Sequence, residues 1–314
     1  MCAKRVIVDV DVGTDDYLAL LILFHAEKSG LVKVEAICCA NGNTSIDNVT
    51  KNVVRLLETI GRTDVPVYKG VEQPLILHKK SLSMFHGKDG FGDLEHEKEP
   101  DISIVKETLA PVALRDLLGA NPGEISLICL GPLTNLALAI KLFPDIVSNI
   151  KDLWLMGGSY KAVGNTTRVA EFNFYYDPEA VHIVLECMTC PIHIIPWETT
   201  LIPTIDFDWR YANLGIKSPA LELLTRADKA AYGPSDCKYW YPCDSFAAFV
   251  FLNPEKYITK RSSHNAVVEL RGELTRGQLL LDHLNEHPHN VVIVEDFDAE
   301  KFKDLLLEIE EQAM

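Results

Sequence analysis

The sequence is poor in the features that would place it in a membrane or on nucleic acid. No apolar run in its 314 residues approaches the roughly 18 that a spanning helix needs, and the longest near the start is Leu18 to Phe24. Basic residues are few: 30 Lys and Arg face 45 Asp and Glu, a formal net charge of −15. That balance argues against nucleic acid or an anionic membrane as a partner. The start lacks a signal-peptide pattern, because Lys4 and Arg5 lead straight into an acidic strand. The phosphate-cradling glycine loop and the serine–histidine–acid order of hydrolases are also missing. There is no clean linker, repeat or low-complexity segment, so one domain over 1–314 is expected. Eight cysteines lie mostly in apolar stretches and read as reduced, which points to a cytoplasmic location. Cys187 to Cys190 is a lone CxxC with no second pair at metal-site spacing, and reads as packing.

What is present is concentrated in the first strand and the turn after it, Arg5-Val6-Ile7-Val8-Asp9-Val10-Asp11-Val12-Gly13-Thr14-Asp15-Asp16-Tyr17. Side chains alternate along a strand, so Asp9 and Asp11 share one side and the valines take the other. Gly13 permits a sharp turn. Asp15 and Asp16 then open a helix, where the macrodipole favours anions. The carboxylates gather at the carboxyl end of a buried strand, the ligand-binding edge of an open α/β sheet. So many like charges repel unless a cation joins them, and ligands that are all hard oxygens suit Ca²⁺ or Mg²⁺ over Zn²⁺.

The rest of the chain alternates strand and helix. Strands are expected at Val32–Ala40, Val65–Tyr68, Ile125–Leu130, Asp152–Met156, Pro191–Pro196 and Val291–Val294. Helices are expected near Ser45–Ile60, Lys106–Gly119, Phe246–Leu252 and Ala299–Gln312. The predicted fold is α/β, a mainly parallel open Rossmann-like sheet with helices on both faces and a C-terminal helical and hairpin extension, the hairpin spanning Ala266–Leu270 and Gln278–Leu281. Gly70 to Pro100 has weak periodicity, and the glycine-dense His86-Gly87-Lys88-Asp89-Gly90-Phe91-Gly92 within it reads as a long mobile loop. His283, His287 and His289 read as solvated surface histidines.

Polar residues fall at strand ends throughout: Asp9, Asp11, Asp15, Asp16, Asn43, Asn165, Glu171, Asn173 and Asp244. Carboxylates and amides aimed at hydroxyls fit a polyol or sugar, and a divalent cation beside a carboxylate activates water. The residues alone indicate a metal-dependent hydrolase of something rich in hydroxyls.

The ordered motifs add a resemblance. Asp9-Val10-Asp11-Val12-Gly13-Thr14-Asp15-Asp16 resembles the DxDxGxDD signature of the nucleoside hydrolases. Asn43, Gly131-Pro132-Leu133-Thr134-Asn135, Met156-Gly157-Gly158, Asn165, Glu171-Phe172-Asn173 and His86-Gly87-Lys88-Asp89-Gly90 follow in the family's order, over nearly the whole chain. The resemblance implies hydrolysis of the N-glycosidic bond of a ribonucleoside to ribose and base. It implies Ca²⁺ held by Asp11, Asp16, the Leu130 carbonyl and Asp244. Asp11 would be the general base, with Asp15, Asn43, Met156, Asn165, Glu171, Asn173 and Asp244 on the ribose. Asp9 is then a residue that orients Asp11.

One position departs from the pattern. Many members carry His-Asp-Pro where this chain has Cys243-Asp244-Ser245, so the resemblance is to a subgroup with cysteine in place of the histidine that protonates the departing base. Cys243 is expected only to pack the site, with His86 or solvent as the donor, and Tyr239, Trp240 and Tyr241 are candidates to line the base site. The expected partner is a small ribonucleoside, with no nucleic acid and no membrane, acting as a homodimer or homotetramer. Two readings compete. One is an impaired nucleoside or ribose binder. The other is a haloacid-dehalogenase-like phosphatase, against which Asp15 and Asp16 would occupy the place of the transferred phosphate.

Overall fold

The computed structural model describes residues 3–77 and 85–312. Among the described residues thirteen strands follow in chain order: β1 Lys4–Val10, β2 Val32–Cys39, β3 Val67–Lys69, β4 Val105–Lys106, β5 Ile125–Cys129, β6 Ile150–Met156, β7 Ile192–Ile195, β8 Ile205–Asp206, β9 Tyr239–Trp240, β10 Ile258–His264, β11 Ala266–Val268, β12 Leu279–Leu281 and β13 Val291–Phe297. Nine form one sheet in the order β10-β13-β7-β6-β5-β1-β2-β3-β4. Every pairing in it is parallel except β10 with β13. From β1 the chain builds outward through β2, β3 and β4, then returns to β5 and builds the other way. The switch point is therefore the crevice between β1 and β5, and ligands bind at the carboxyl ends of strands beside such a crevice.

Helices cover both faces. Val6, Val8, Val10 and Val12 of the first strand and turn belong to one buried cluster, with α1 (Thr14–Lys28) and the helix Cys243–Leu252. Ile7, β5 and the helix Thr134–Leu142 belong to another. Burial on both faces explains why β1 reads from Val6 to Val10 as an apolar run broken only by Asp9. Among the described residues no helix is long and apolar enough to cross a membrane.

Three sequence readings are adjusted. The helix expected from Lys106 begins at Ala110, because Pro111 is tolerated only in a first turn; Val105 and Lys106 pair with β3 instead. β10, with Lys260 and Arg261, carries no apolar alternation and closes the sheet as a charged antiparallel edge. The expected hairpin forms from β11 and β12. Of the stretch read as a mobile loop, 78–84 lies outside the described residues, and 86–93 is bonded into the body through Thr44, Asn48 and Asn52.

The helices Phe207–Asn213 and Pro219–Tyr232 are locked by an ion pair inside the protein. Arg210 Nη2 donates to Asp228 at 3.0 Å, and both side chains are fully buried. The Arg210 guanidinium also lies 4.7 Å from the ring centre of Trp240. Removing one partner strands the other charge without water, which costs far more than a surface pair is worth. Arg210→Met should therefore lower unfolding free energy in urea by ~3–5 kcal/mol; a loss below ~1 kcal/mol, the scale of a surface pair, would show that Asp228 finds another partner or a proton.

Candidate active site

The site is built where β1, β2, β5, β6 and β7 end. As β1 leaves the sheet, Asp11 Oδ2 accepts from Asn43 N at 2.8 Å, beyond the end of β2. Asp16, in the first turn of α1, reaches back: its Oδ1 accepts from Asp11 N at 3.2 Å and its Oδ2 from Gly13 N at 2.8 Å. Space around Asp11 exists only because neighbours lack a side chain; a Cβ on Gly42 would stand 2.1 Å from Asp11 Oδ2. Asp244 opens the helix Cys243–Leu252, which packs along α1 and returns a fourth carboxylate to the same spot.

A cavity of about 390 Å³ opens over this edge. Asp11, Asp15, Asn43, Leu130, Met156, Asn165, Glu171, Asn173 and Asp244 line it, together with His86, Tyr241 and Cys243. Every residue placed on the ribose by the sequence reading is thus in the wall, while Asp16 is fully buried just behind it. Two wall residues are already engaged. Glu171 accepts from Gly158 N, Asn173 N and Phe174 N at 2.8, 2.8 and 3.1 Å, capping the helix Phe172–Tyr176. Asn173 Nδ2 donates to Leu130 O at 2.6 Å and Met156 O at 3.2 Å, which leaves its amide oxygen for a ligand.

Other candidates stand elsewhere. Asp9 accepts from Asn135 Nδ2 at 2.9 Å, and the same nitrogen donates to Cys39 O at 2.9 Å; Asp9 ties the ends of β1 and β2 to the helix Thr134–Leu142, and its bonded partner is Asn135. Trp240 is in the core beneath Arg210, and Tyr239 pairs with Asp206; neither lines the cavity. His283, His287 and His289 are exposed, and the first and last neighbour His264. Cys187 is exposed and unpaired.

His86 enters from the loop and is nearly buried. Thr14 N donates to its Nδ1 at 3.2 Å. A backbone N–H only donates, so Nδ1 is the acceptor and the neutral ring carries its hydrogen on Nε2. Nε2 lies 3.6 Å from Asp15 Oδ1. Burial lowers the His86 pKa, partly opposed by Asp15. The approach requires Gly13, whose Cβ would stand 2.8 Å from Nε2. The single S–H of Cys243 has two acceptors in reach, Tyr241 O at 3.2 Å and Thr200 Oγ1 at 3.4 Å. Burial, then the Asp15 charge, pushes its thiol well up, so it stays protonated.

The carboxylates carry the electrostatic strain. Burial pushes Asp11 and Asp244 well above the usual range, with Asp15 and Asp16 adding repulsion. Asp16 and Glu171 are each pushed up to about 7, burial again first. Asp11 Oδ1 and Asp15 Oδ1 are buried without a hydrogen-bond partner, and ligand oxygens of Asp15, Asp16 and Asp244 lie within 4.8 Å of one another. Orphaned acceptors, mutual repulsion and a donor set made only of oxygen fit a hard divalent cation. The grouping differs from the implied set of carboxylates: it includes Asp15, which the resemblance had placed on the ribose, and leaves out Asp11.

Residues 6–304 match the family model of the inosine-uridine preferring nucleoside hydrolases. The inosine-uridine preferring nucleoside hydrolase of Leishmania major is 30% identical over 302 residues, 94% of either chain. A pyrimidine-specific ribonucleoside hydrolase of Salmonella arizonae is 30% identical, over 98% of either chain. A solved inosine-guanosine nucleoside hydrolase superposes with a TM-score of 0.90 at 26% identity, over 98% of both chains. The chain belongs to the inosine-uridine preferring nucleoside hydrolase family.

As a nucleoside hydrolase it is an N-ribosyl hydrolase by class, and its cavity also holds residues that the sequence did not single out. Trp197 follows the end of β7 and was within reach of the strand-end rule. Phe172 lay inside a recognised motif. Phe85, Thr166, Tyr232 and Cys237 come from a loop, a loop, a helix end and a loop, with no local signal.

The raised carboxyl pKa values give a sign. A carboxyl whose folded pKa is raised favours the fold while protonated; the contribution is full below the unfolded values near 4 and lost as pH rises through about 7. With chelator, the thermal midpoint of this hydrolase should fall from pH 5 to pH 8. At pH 8 a divalent cation at a hundred times its Kd should restore ~2.7 kcal/mol. A midpoint indifferent to cation at pH 8 would count against the cluster as its site.

Proposed function

We propose that the protein is a Ca²⁺-dependent ribonucleoside hydrolase that yields ribose and free base, of the kind with cysteine in place of the leaving-group histidine. The observation that carries this reading is one cavity with two chemistries: Asp11, Asp15, Asn43, Asn165, Asn173 and Asp244 for hydroxyls, and Phe85, Phe172, Trp197, Tyr232 and Tyr241 for a flat base. Asp11, Asp16, Asp244 and the Leu130 carbonyl would hold the cation, and Asp15, grouped with Asp16 and Asp244, could serve the cation or the ribose. Bound there, Ca²⁺ supplies the positive charge that makes a water easier to deprotonate.

Asp11 takes a proton from the attacking water, whose oxygen bonds to the anomeric carbon. The N-glycosidic bond breaks with its electron pair going to the base. The ribose contacts of Asp15, Asn43, Asn165 and Asn173 tighten as the ring flattens towards an oxocarbenium ion. Aromatic faces hold the base at ~1–3 kcal/mol each. His86, neutral with its hydrogen on Nε2, donates a hydrogen bond to the base as charge gathers on it, and solvent supplies the final proton; a neutral imidazole acting as an electrophile is an established device. Cys243 packs the wall, since its protonated thiol is a weak and short donor already spent on Thr200 or Tyr241.

The relatives' names differ in the base they specify, so base preference is read from free ribose released by a panel of purine and pyrimidine nucleosides, with and without chelator. Nucleoside bound without ribose accumulating would favour the impaired binder. Asp11→Asn should fold and lose ~10²–10⁴-fold in turnover, as a missing general base does; an unchanged rate would move the base elsewhere. Cys243→Ala should change inosine and a nitrophenyl riboside little and together. A loss on inosine alone beyond ~10²-fold, the lower end of general-acid effects, would make the thiol the acid.

A further inference from the structure

Asn52 lies in α2 (Ile46–Thr59), 4% exposed, and does not line the cavity. Its amide nitrogen donates to two backbone carbonyls from different segments, Asp89 O at 2.9 Å and Val12 O at 3.5 Å. Its amide oxygen accepts from Arg55 Nη1 at 3.5 Å. Val12 sits in the turn that carries Asp11, Asp15 and Asp16, and Asp89 follows His86 by three residues. One buried side chain thus joins the acidic turn to the loop that delivers His86, using one amide hydrogen for each carbonyl.

The neighbouring contacts act in the same direction. Thr44 Oγ1, buried just before α2, donates to Lys88 O at 2.7 Å, and Asn48 Nδ2 reaches the same carbonyl at 3.3 Å. The Phe91 ring packs 4.8 Å from that of Tyr17. Asp89 Oδ1 accepts from Phe91 N and Asp93 N at 2.7 and 2.9 Å, closing the loop on itself. The loop is therefore a preformed unit, and Asn52 and Thr44 clip its backbone onto α2. A buried amide is costly in a helix unless its bonds are made. Both bonds of this one go to segments that carry the chemistry.

We propose that Asn52 is a positioning residue for departure of the base: it seats the 86–93 loop so that His86 Nε2 faces the leaving group. The proposal rests on the reading of His86 given above. Without the Asp89 bond the loop keeps its internal turn and its Lys88 contacts but loses the buried half of its seat, and His86 shifts relative to Asp15 and the base. Attack by water and the ribose contacts are largely spared, because the bond to Val12 O is the longer of the two at 3.5 Å and the acidic turn keeps its own bonds between Asp11, Gly13 and Asp16.

The experiment compares Asn52→Ala and the shape-preserving Thr44→Val with wild type, in the native and His86→Ala backgrounds. It reads kcat and KM on inosine and on 4-nitrophenyl riboside, whose leaving group needs no hydrogen bond. Asn52→Ala should lower kcat on inosine by ~10²-fold, the cost of misplacing a reacting group by about 1 Å. It should leave nitrophenyl riboside nearly unchanged and add nothing in the His86→Ala background. Thr44→Val should follow the same pattern more weakly, and it carries the test alone if circular dichroism shows Asn52→Ala unfolded. Equal losses on both substrates, or losses that add to those of His86→Ala, would mean a structural role only and overturn the proposal. A His86→Ala enzyme with wild-type inosine turnover would overturn the His86 reading and this proposal with it, whereas a slow His86→Ala enzyme that adds to Asn52→Ala overturns the proposal alone.

Discussion

The constraint on which the structure depends is the repulsion among four carboxylates, three of them buried, crowded at one edge of a sheet. Asp11, Asp15, Asp16 and Asp244 arrive from a strand end, a helix start and a second helix start, and the fold supplies few cations to meet them. What it supplies are backbone N–H groups. Asn43 N serves Asp11, and Asp11 N and Gly13 N serve Asp16. These partners hold the oxygens in place without neutralising them, so burial still pushes the carboxyls up. A site kept short of positive charge in this way could hold a cation that brings its own.

The parallel sheet makes that concentration geometrically inevitable. With β1, β2, β5, β6 and β7 running the same way, all their carboxyl ends lie on one edge. Asp11, Asn43, Leu130, Met156 and Trp197 follow those ends and meet although they are far apart in sequence. The remaining wall depends on packing rather than on the sheet. The helix Cys243–Leu252 lies against α1 and brings Asp244 and Cys243. The helix Pro219–Tyr232 brings Tyr232, and Arg210 with Asp228 and Trp240 fixes it to its neighbour.

Legibility followed the physical origin of each feature. Strand ends were legible because an apolar run that stops in polar residues has a direction, and parallel strands add their ends together. Asp11, Asp15, Asp16, Asn43, Asn165, Glu171, Asn173 and Asp244 were found in that way or by ordered motifs. β10 was not legible, because an edge strand needs no apolar face, and the early start given to the helix at Lys106 ignored the limit set by Pro111. Tyr239, Trp240 and Tyr241 are adjacent in sequence, yet only Tyr241 reaches the cavity. Their place just before Cys243-Asp244 was visible; which of them faced the core was not.

The sequence by itself determined the fold class, the acidic edge and the family, because these rest on local periodicity and on residue types in a fixed order. Tertiary structure alone decided how those residues are used. It spent Glu171 on a helix cap, gave Asp9 to Asn135, grouped Asp15 with Asp16 and Asp244 where the three could hold a metal, and buried Trp240. It also set the hydrogen of His86 on Nε2, since the N–H that fixes the tautomer belongs to Thr14, 72 residues away. Such outcomes depend on which donor meets which acceptor across the packed interior, and no spacing along the chain encodes that meeting.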